Sequence, residues 1–291
     1  MLDQLHRFTF EHFGVRGEIV ALGASWQAVV QRHDYAPPVR DYLGQALVAA
    51  TLLSGTIKFR GSLILQLQGD GPLRTLVAQA TNRRMIRGMA HAQGAVPTDD
   101  LAAALGHGRM VLTAESPRGE RYQGIVGVER ASLATVVEAY FSQSEQLSTR
   151  VWLAADGRAA AGLFLQRLPG DQRGDPAGDE DWRRVCILAD TLEREELLSV
   201  PPETLLHRLF HEEDLRLYEP EPVAFRCGCS RERIAHTLRA MGRAEVESII
   251  AERGSVEADC EFCNAHYRFD AVDAAALFAD VPVGAMTDSE H

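Results

Sequence analysis

The chain has 291 residues, 46% apolar, 7% aromatic and 24% charged, with 30 Lys and Arg against 41 Asp and Glu. This is the profile of a folded globular protein and not of a disordered or collagen-like one. The formal net charge of −11 excludes a protein whose main task is coating nucleic acid, because phosphate binding draws on a surplus of basic residues.

In chain order, Phe8, Phe10, Phe13, Val15, Ile19 and Val20 approach a period of two, broken by Gly14 and Gly17, which predicts a bent strand pair or a bulged strand. Ser25 is expected to cap a helix running to about His33, and Pro37-Pro38 to open a longer amphipathic helix through Leu43, Leu47, Ala50 and Leu53. Strands follow at 62–68, 73–80 and 85–91, the first two joined by the turn Gly69-Asp70-Gly71-Pro72. Thr98 is expected to cap a short helix with Asp99 and Asp100 in its first turn, where carboxylates meet the positive end of the helix dipole. Further strands are predicted at 109–114 and 122–128, then a helix capped by Ser132 with Val136, Val137, Tyr140 and Phe141 on its apolar face, then strands near 150–155 and 160–168. Residues 1–168 therefore read as an α+β domain of antiparallel sheet with helices.

The stretch 169–181 is rich in Gly, Pro and Asp and reads as a solvated loop. A helix is expected over 182–189, and Asp190-Thr191-Leu192-Glu193 has the spacing of a capping box with Asp as the cap. Pro201-Pro202 opens another helix whose Leu205, Leu206, Leu209 and Phe210 share one face, and Pro220-Glu221-Pro222 is a hard stop. Residues 169–222 are thus read as a flexible loop and helical connector, and 223–291 as a small carboxyl-terminal cysteine module. The opening residues lack the pattern of a signal peptide, and the longest apolar run, around 46–53, is too short for a bilayer. The expected location is cytoplasmic, where five cysteines are unlikely material for a permanent disulfide framework.

Four of those cysteines fall as Cys227-Gly228-Cys229 and Cys260-Glu261-Phe262-Cys263. Each pair is short enough for two thiolates to converge on one ion, and four sulfurs complete the tetrahedral shell of a structural zinc site. An iron site or cluster is the other chemistry open to these ligands. His266 and His236 are expected outside the shell, and Cys186 is expected to be a buried structural thiol. Arg226, Arg231 and Arg233 crowd the first pair and would favour thiolate. The acidic, modestly apolar module should depend on its metal for most of its folding free energy, and thiolates held by zinc are what peroxide attacks. The spacing thus supports either a purely structural module or a redox switch. Four cysteines allow three disulfide connectivities.

The enzyme reading lacks support: the shell of four cysteines is closed, and G-x-x-x-x-G-K-[ST], H-E-x-x-H and G-x-S-x-G are absent. Lys58 is the single lysine and sits in Thr56-Ile57-Lys58-Phe59-Arg60, which carries no P-loop. No ATP site, membrane partner or nucleic-acid partner is expected. A zinc-ribbon nucleic-acid protein is opposed by Glu245, Glu247, Glu252, Glu257, Asp259 and Glu261 in the module itself.

Over nearly its full length the sequence resembles the 33 kDa chaperonin family, the redox-regulated heat-shock holdases of bacteria. The resemblance rests on Phe225-Arg226-Cys227-Gly228-Cys229-Ser230-Arg231-Glu232-Arg233, on Cys260-Glu261-Phe262-Cys263 with Tyr267 and Phe269, and on Gly69-Asp70-Gly71-Pro72-Leu73. Tyr140-Phe141-Ser142-Gln143-Ser144-Glu145-Gln146 and Leu209-Phe210-His211-Glu212-Glu213 complete it. It implies an inactive, zinc-bound reduced state. It also implies disulfides Cys227–Cys229 and Cys260–Cys263 on oxidation, with zinc release, unfolding of the carboxyl module and connector, ATP-independent capture of unfolding client proteins, and a homodimer when oxidised.

Overall fold

The computed structural model describes residues 3–57, 59–116, 118–130, 132–168 and 176–279; Lys58 and the predicted loop over 169–175 lie outside them. It divides into two compact units that meet between Arg226 and Cys227.

The first unit begins with the antiparallel pair β1 (Gln4–Phe10) and β2 (Val15–Leu22). Gly17 does not break the strand. It lies inside β2 opposite Phe8, whose ring covers the space a Cβ would need, 2.1 Å from its position, a use of strand glycine that periodicity does not distinguish from a break. Helix α1 (Ala24–Val30) follows, with Gly23 at its N-cap and Ser25 inside it. The cap comes from a distance: Asp3 accepts hydrogen bonds from the Gly23 and Ser25 N–H groups at 2.7 and 3.1 Å, and the Ser25 hydroxyl donates to the Val223 carbonyl. Helix α2 (Pro37–Thr56) begins at the predicted prolines, but it is buried on nearly every side and not amphipathic. It lies between two sheets, and such a helix is apolar all round. Its Gly44 allows close approach, since a Cβ there would stand 2.4 Å from that of Ala155.

Strands β3 (Ser62–Gln68), β4 (Leu73–Thr81) and β5 (Met85–Ala92) form the expected meander. The short helix α3 (Leu101–Leu105) is capped by Asp100, which accepts from the Ala103 N–H, and not by Thr98; Asp99 is left-handed at φ 61°. Strands β6 (Gly108–Glu115) and β7 (Arg121–Val128) extend the same sheet beyond β3. Ser132 caps α4 (Leu133–Tyr140) as predicted, and a π-helical turn over Phe141–Glu145 follows it. Strands β8 (Thr149–Ala155) and β9 (Ala160–Arg167) return to the first sheet beside β2.

The predicted loop over 169–181 is helical from residue 176. Helix α5 (Pro176–Ala189) starts inside the Gly- and Asp-rich stretch, and its Asp179 and Asp181 pair with Arg167 and Arg184. Helix α6 (Arg194–Ser199) is capped by a box of Glu193 and Glu196, three residues later than the predicted Asp190. Asp190 instead accepts from Arg150 at 2.6 Å and from Trp152. Helix α7 (Pro202–Phe210) begins at the prolines and buries Leu205, Leu206, Leu209 and Phe210, the face read from the sequence.

The segment after α7 is no hard stop. Strands β10 (Leu215–Leu217) and β11 (Glu221–Pro222) pair antiparallel with β1, and β12 (Ala224–Phe225) pairs parallel with β5. One sheet therefore runs β10-β1-β2-β9-β8 with β11 also on β1, and the other runs β12-β5-β4-β3-β6-β7. Helix α2 fills the space between the sheets, and α5 to α7 cover the far face of the first, burying Phe8, Phe10, Ile19, Leu163 and Leu165. The second sheet alternates buried and half-buried residues along β3 and carries exposed residues on β7, so one of its faces is open to solvent at that end.

The second unit comprises helices α8 (Arg231–Met241) and α9 (Arg243–Arg253), the hairpin β13 (Val256–Asp259) and β14 (His266–Phe269), and α10 (Ala271–Ala279). Its core is small: Ala235, Leu238, Val246, Val256, Phe269, Ala274 and Leu277 are its buried members.

Candidate metal centre

The two cysteine pairs converge within the second unit. Cys227 and Cys229 lie on the segment leading into α8, whose first turn is fixed by Ser230 accepting from the Arg233 N–H. Cys260 and Cys263 lie in the turn between β13 and β14. There the Cys260 carbonyl accepts from the Cys263 and Asn264 N–H groups at 3.2 and 2.7 Å, and Asn264 is left-handed at φ 56°. The Asp259–His266 pair of the hairpin ladder closes the loop beneath them.

The four sulfurs lie within 4.8 Å of one another, with Cys227 to Cys260 at 3.6 Å and Cys229 to Cys263 at 3.3 Å. Four sulfurs about 2.3 Å from one tetrahedral ion stand about 3.8 Å apart, so this donor set fits a metal ion with little movement. Both short approaches run between the pairs, so the sulfurs do not select a disulfide pairing by proximity. Among the described residues this is the one cluster of His, Cys, Asp and Glu with metal-holding geometry. His266 is turned away, its Nδ1 2.8 Å from Asp259, and His236 is exposed on α8.

Four thiols this close cannot all ionise without a cation. Burial alone would raise Cys229, but the Tyr267 hydroxyl, donating to its sulfur at 3.1 Å, and the neighbouring thiols bring it down to about 7. Burial pushes Cys263 up to about 12, reinforced by the other three cysteines, and raises Cys227. A bound cation would favour thiolate on all four, so metal uptake displaces protons. The expected role of the arginines is not met at Arg231, which bonds Asp273 at 2.7 Å and lies 4.2 Å over the Phe269 ring. Tyr267 is the neighbour that residue reading left without a role; it is brought to Cys229 by the hairpin ladder, which sequence spacing does not display.

Cys186 stands apart, 7% exposed on α5, with burial pushing its thiol up to about 12. This is the environment of an inert structural cysteine.

The segment preceding Cys227 is clamped to the first unit. Glu221 bonds Arg7 at 2.8 Å and Arg84 at 3.0 Å. Arg84 is itself buried and also donates to the Ser54 carbonyl at 2.8 Å. Phe225 lies under the Arg32 guanidinium at 4.4 Å, and the Ala224 and Arg226 N–H groups donate to Arg84 and Ile86 carbonyls.

An α+β unit strapped by a helical connector, followed by a unit whose four clustered cysteines could hold a metal ion, is the class that fold and site define. The family model described as Hsp33 protein matches residues 3–270. The 33 kDa chaperonin of Nitrosococcus oceani is 54% identical over 289 residues, covering 99% of both chains. That of Azotobacter vinelandii is 46% identical over 99% of both. The crystal structure of the 33 kDa chaperonin from Thermotoga maritima superposes with a TM-score of 0.83 over 95% of this chain and 98% of that one, at 23% identity, a likeness of fold. The chain belongs to the Hsp33 family of chaperones. No described helix is long and apolar enough to cross a membrane.

Proposed function

We propose that this chain is an ATP-independent holdase that captures unfolding proteins when its cysteine centre is oxidised. The observation that carries the reading is the convergence of four sulfurs in a unit of small core, joined at Cys227 to the end of the connector strap. In the reduced state the four cysteines hold zinc, the choice that a complete tetrahedral thiolate shell favours. Zinc binding of about 10–16 kcal/mol then supplies most of the stability of the second unit.

Oxidation removes that support. Each pair of thiolates gives two electrons to one peroxide as its S–S bond forms, and the peroxide takes up two protons and leaves as two waters; the pairing implied by family resemblance is Cys227–Cys229 and Cys260–Cys263. Disulfide sulfurs are poor zinc ligands, so the ion departs and the second unit unfolds. The connector then loses its anchorage at Cys227, and the apolar faces joined by Leu205, Leu206, Leu209 and Phe210 on one side and Phe8, Phe10 and Leu163 on the other become available to clients. The chain performs no catalytic turnover in this scheme and acts in the cytoplasm, oxidised as a homodimer.

The test is suppression of aggregation of a heat-unfolding client without ATP, by the zinc-loaded reduced protein and by the same protein after peroxide, with zinc release followed in parallel. Activity appearing together with about one zinc lost per chain supports the reading. Zinc loss without activity refutes it and leaves a structural metal unit.

A further inference from the structure

An ionisable side chain is buried in the apolar contact between the connector and the first sheet. Along β1 the covered face presents His6, Phe8 and Phe10, and Ile19 of β2 stands opposite His6. His6 is 1% exposed. Its Nδ1 has no hydrogen-bond partner among the described residues. Glu203 Oε1, from the first turn of α7, stands 3.6 Å away, too far for a hydrogen bond. A buried polar atom without a partner is costly, and a buried charge more so.

Glu203 is the charged group that α7 turns to His6, and its own side chain is 57% exposed. On β2, Glu18 lies beside Ile19 but faces Thr56 and Gly55 of α2, on the other side of the sheet. On β11, Glu221 stands opposite Leu5 and is held by Arg7 and Arg84; Glu219, just before it, is exposed. Farther along α7, His207 is exposed with its ring 6.2 Å from that of His211, and Arg208 bonds Glu196 of α6. A neutral imidazole therefore suits the place and an imidazolium does not. Burial holds His6 below its ordinary 6.5 against the pull of Glu203, and the first turn of a helix carries partial positive charge.

We infer that His6 makes the connector an acid-sensitive mask: in mildly acidic solution, protonation of its imidazole releases α7 from the first sheet while the cysteines stay reduced and metal-bound. When the connector lifts, the ring meets water and recovers its ordinary basicity. The open form then binds a proton that the closed form refuses. The closed form keeps its full advantage above about pH 6.5 and loses it as pH falls from there through the lower value that burial imposes. The inference rests on the reading of the connector as a mask and adds a trigger that needs no oxidant.

The experiment uses the reduced, zinc-loaded full chain from about pH 7.5 to about pH 5.5, with bound zinc followed throughout. Amide exchange gives protection factors for residues 202–210 and, as the measure of global unfolding, for β3. Protection of wild type over 202–210 should fall several-fold, one proton's linkage setting a ceiling of about tenfold per pH unit, while β3 keeps its protection. His6→Gln stays polar but cannot titrate and should abolish the fall. Glu203→Gln removes the counter-charge and should enlarge it, and His207→Gln should leave it as in wild type. Imidazole nitrogen shifts should show His6 titrating below 6.5 in the closed protein, which with Glu203→Gln decides the matter even where His6→Gln fails to fold. No fall in wild type, an equal fall in His6→Gln, a smaller one in Glu203→Gln, a fall shared by β3, or a His6 ring already charged at neutral pH would each overturn the inference. Client capture by oxidised His6→Gln at neutral pH tests the holdase reading by itself, so the two can fail separately.

Discussion

Phe210→Ala isolates the connector's hold on the first unit. Phe210 is 1% exposed, meets Phe10 edge-on at 5.3 Å between ring centroids and Phe8 at 6.2 Å, and lies beside Leu206 and Leu209 on the buried face of α7. Truncating a buried Phe costs about 3–5 kcal/mol, part transfer free energy and part cavity. At about 1.4 kcal/mol per tenfold, a loss confined to the connector raises its open population by roughly a hundred- to several-thousandfold. The assay is amide hydrogen exchange in the metal-loaded, reduced protein, comparing residues 202–210 with β3 in the core, together with binding of an apolar dye and client protection. Exchange over 202–210 should accelerate by far more than in β3, dye binding should rise, and clients should be held without oxidant while the metal stays bound. Equal acceleration in both regions would mean that the connector opens only when the whole unit unfolds, and would refute the idea of a separable mask.

Removing the metal with a chelator should abolish the slow-exchanging amides of α8, α9 and the β13–β14 hairpin while leaving β3 and β4 protected, because the core of the second unit is small; retained protection in the second unit would contradict metal-dependent folding. Tyr267→Phe deletes the hydrogen bond to Cys229 and should weaken metal retention about tenfold or more, measured by competition with a chromophoric chelator; unchanged affinity would make Tyr267 a bystander. Cys186 should resist alkylation at pH 8 in the folded, metal-loaded protein and react on unfolding, since burial pushes its thiol up to about 12; rapid labelling of the native state would refute its assignment as inert. Glu18 is buried, and that burial, opposed by Arg84, Arg16 and Arg7, lifts its carboxyl from about 4.5 to about 8. The folded state thus holds a proton that the unfolded state has released. Its stabilising share is complete below about pH 4.5 and is lost as pH rises through about 8. Glu18→Gln should flatten that decline in urea-unfolding profiles, and an unchanged profile would show that Glu18 is ionised throughout.

The four-cysteine cluster was legible because its signal is local and chemical. Short Cys spacings bring thiolates together two at a time whatever the rest of the chain does, and the structure then joins Cys227 and Cys229 to Cys260 and Cys263. The meander was equally readable, since β3 and β4 bury one face fully and the other only in part, which writes the alternation into Leu63, Leu65 and Leu67 and into Leu76, Ala78 and Ala80. The buried face of α7 was legible for the same reason, with Leu205, Leu206, Leu209 and Phe210 at helical spacing.

Where a distant group decided the outcome, local pattern misled. Ser25 has the composition of a cap, but Asp3, on the other side of the strand pair, supplies the acceptor, leaving Ser25 to bond Val223. Asp190 fits a capping box, but Arg150 and Trp152 take its carboxylate and the box passes to Glu193 and Glu196. The Gly- and Asp-rich stretch reads as loop, yet from residue 176 it is helical, with Asp179 paired to Arg167 on β9. Helix α2 reads as amphipathic, and burial between two sheets makes it a core element.

The sequence by itself determined the amphipathic strands, the proline-initiated helices, the connector's apolar face and the two short cysteine pairs, because each depends on side chains close in the chain. The tertiary structure alone decided that Glu221 would lock onto Arg84, that residues 215–225 would form strands on both sheets, that Tyr267 would meet Cys229, and that β7 would be left as an open edge. Those outcomes depend on which strand becomes whose neighbour, and pairing between residues far apart in the chain leaves no period in the sequence from which it could be read.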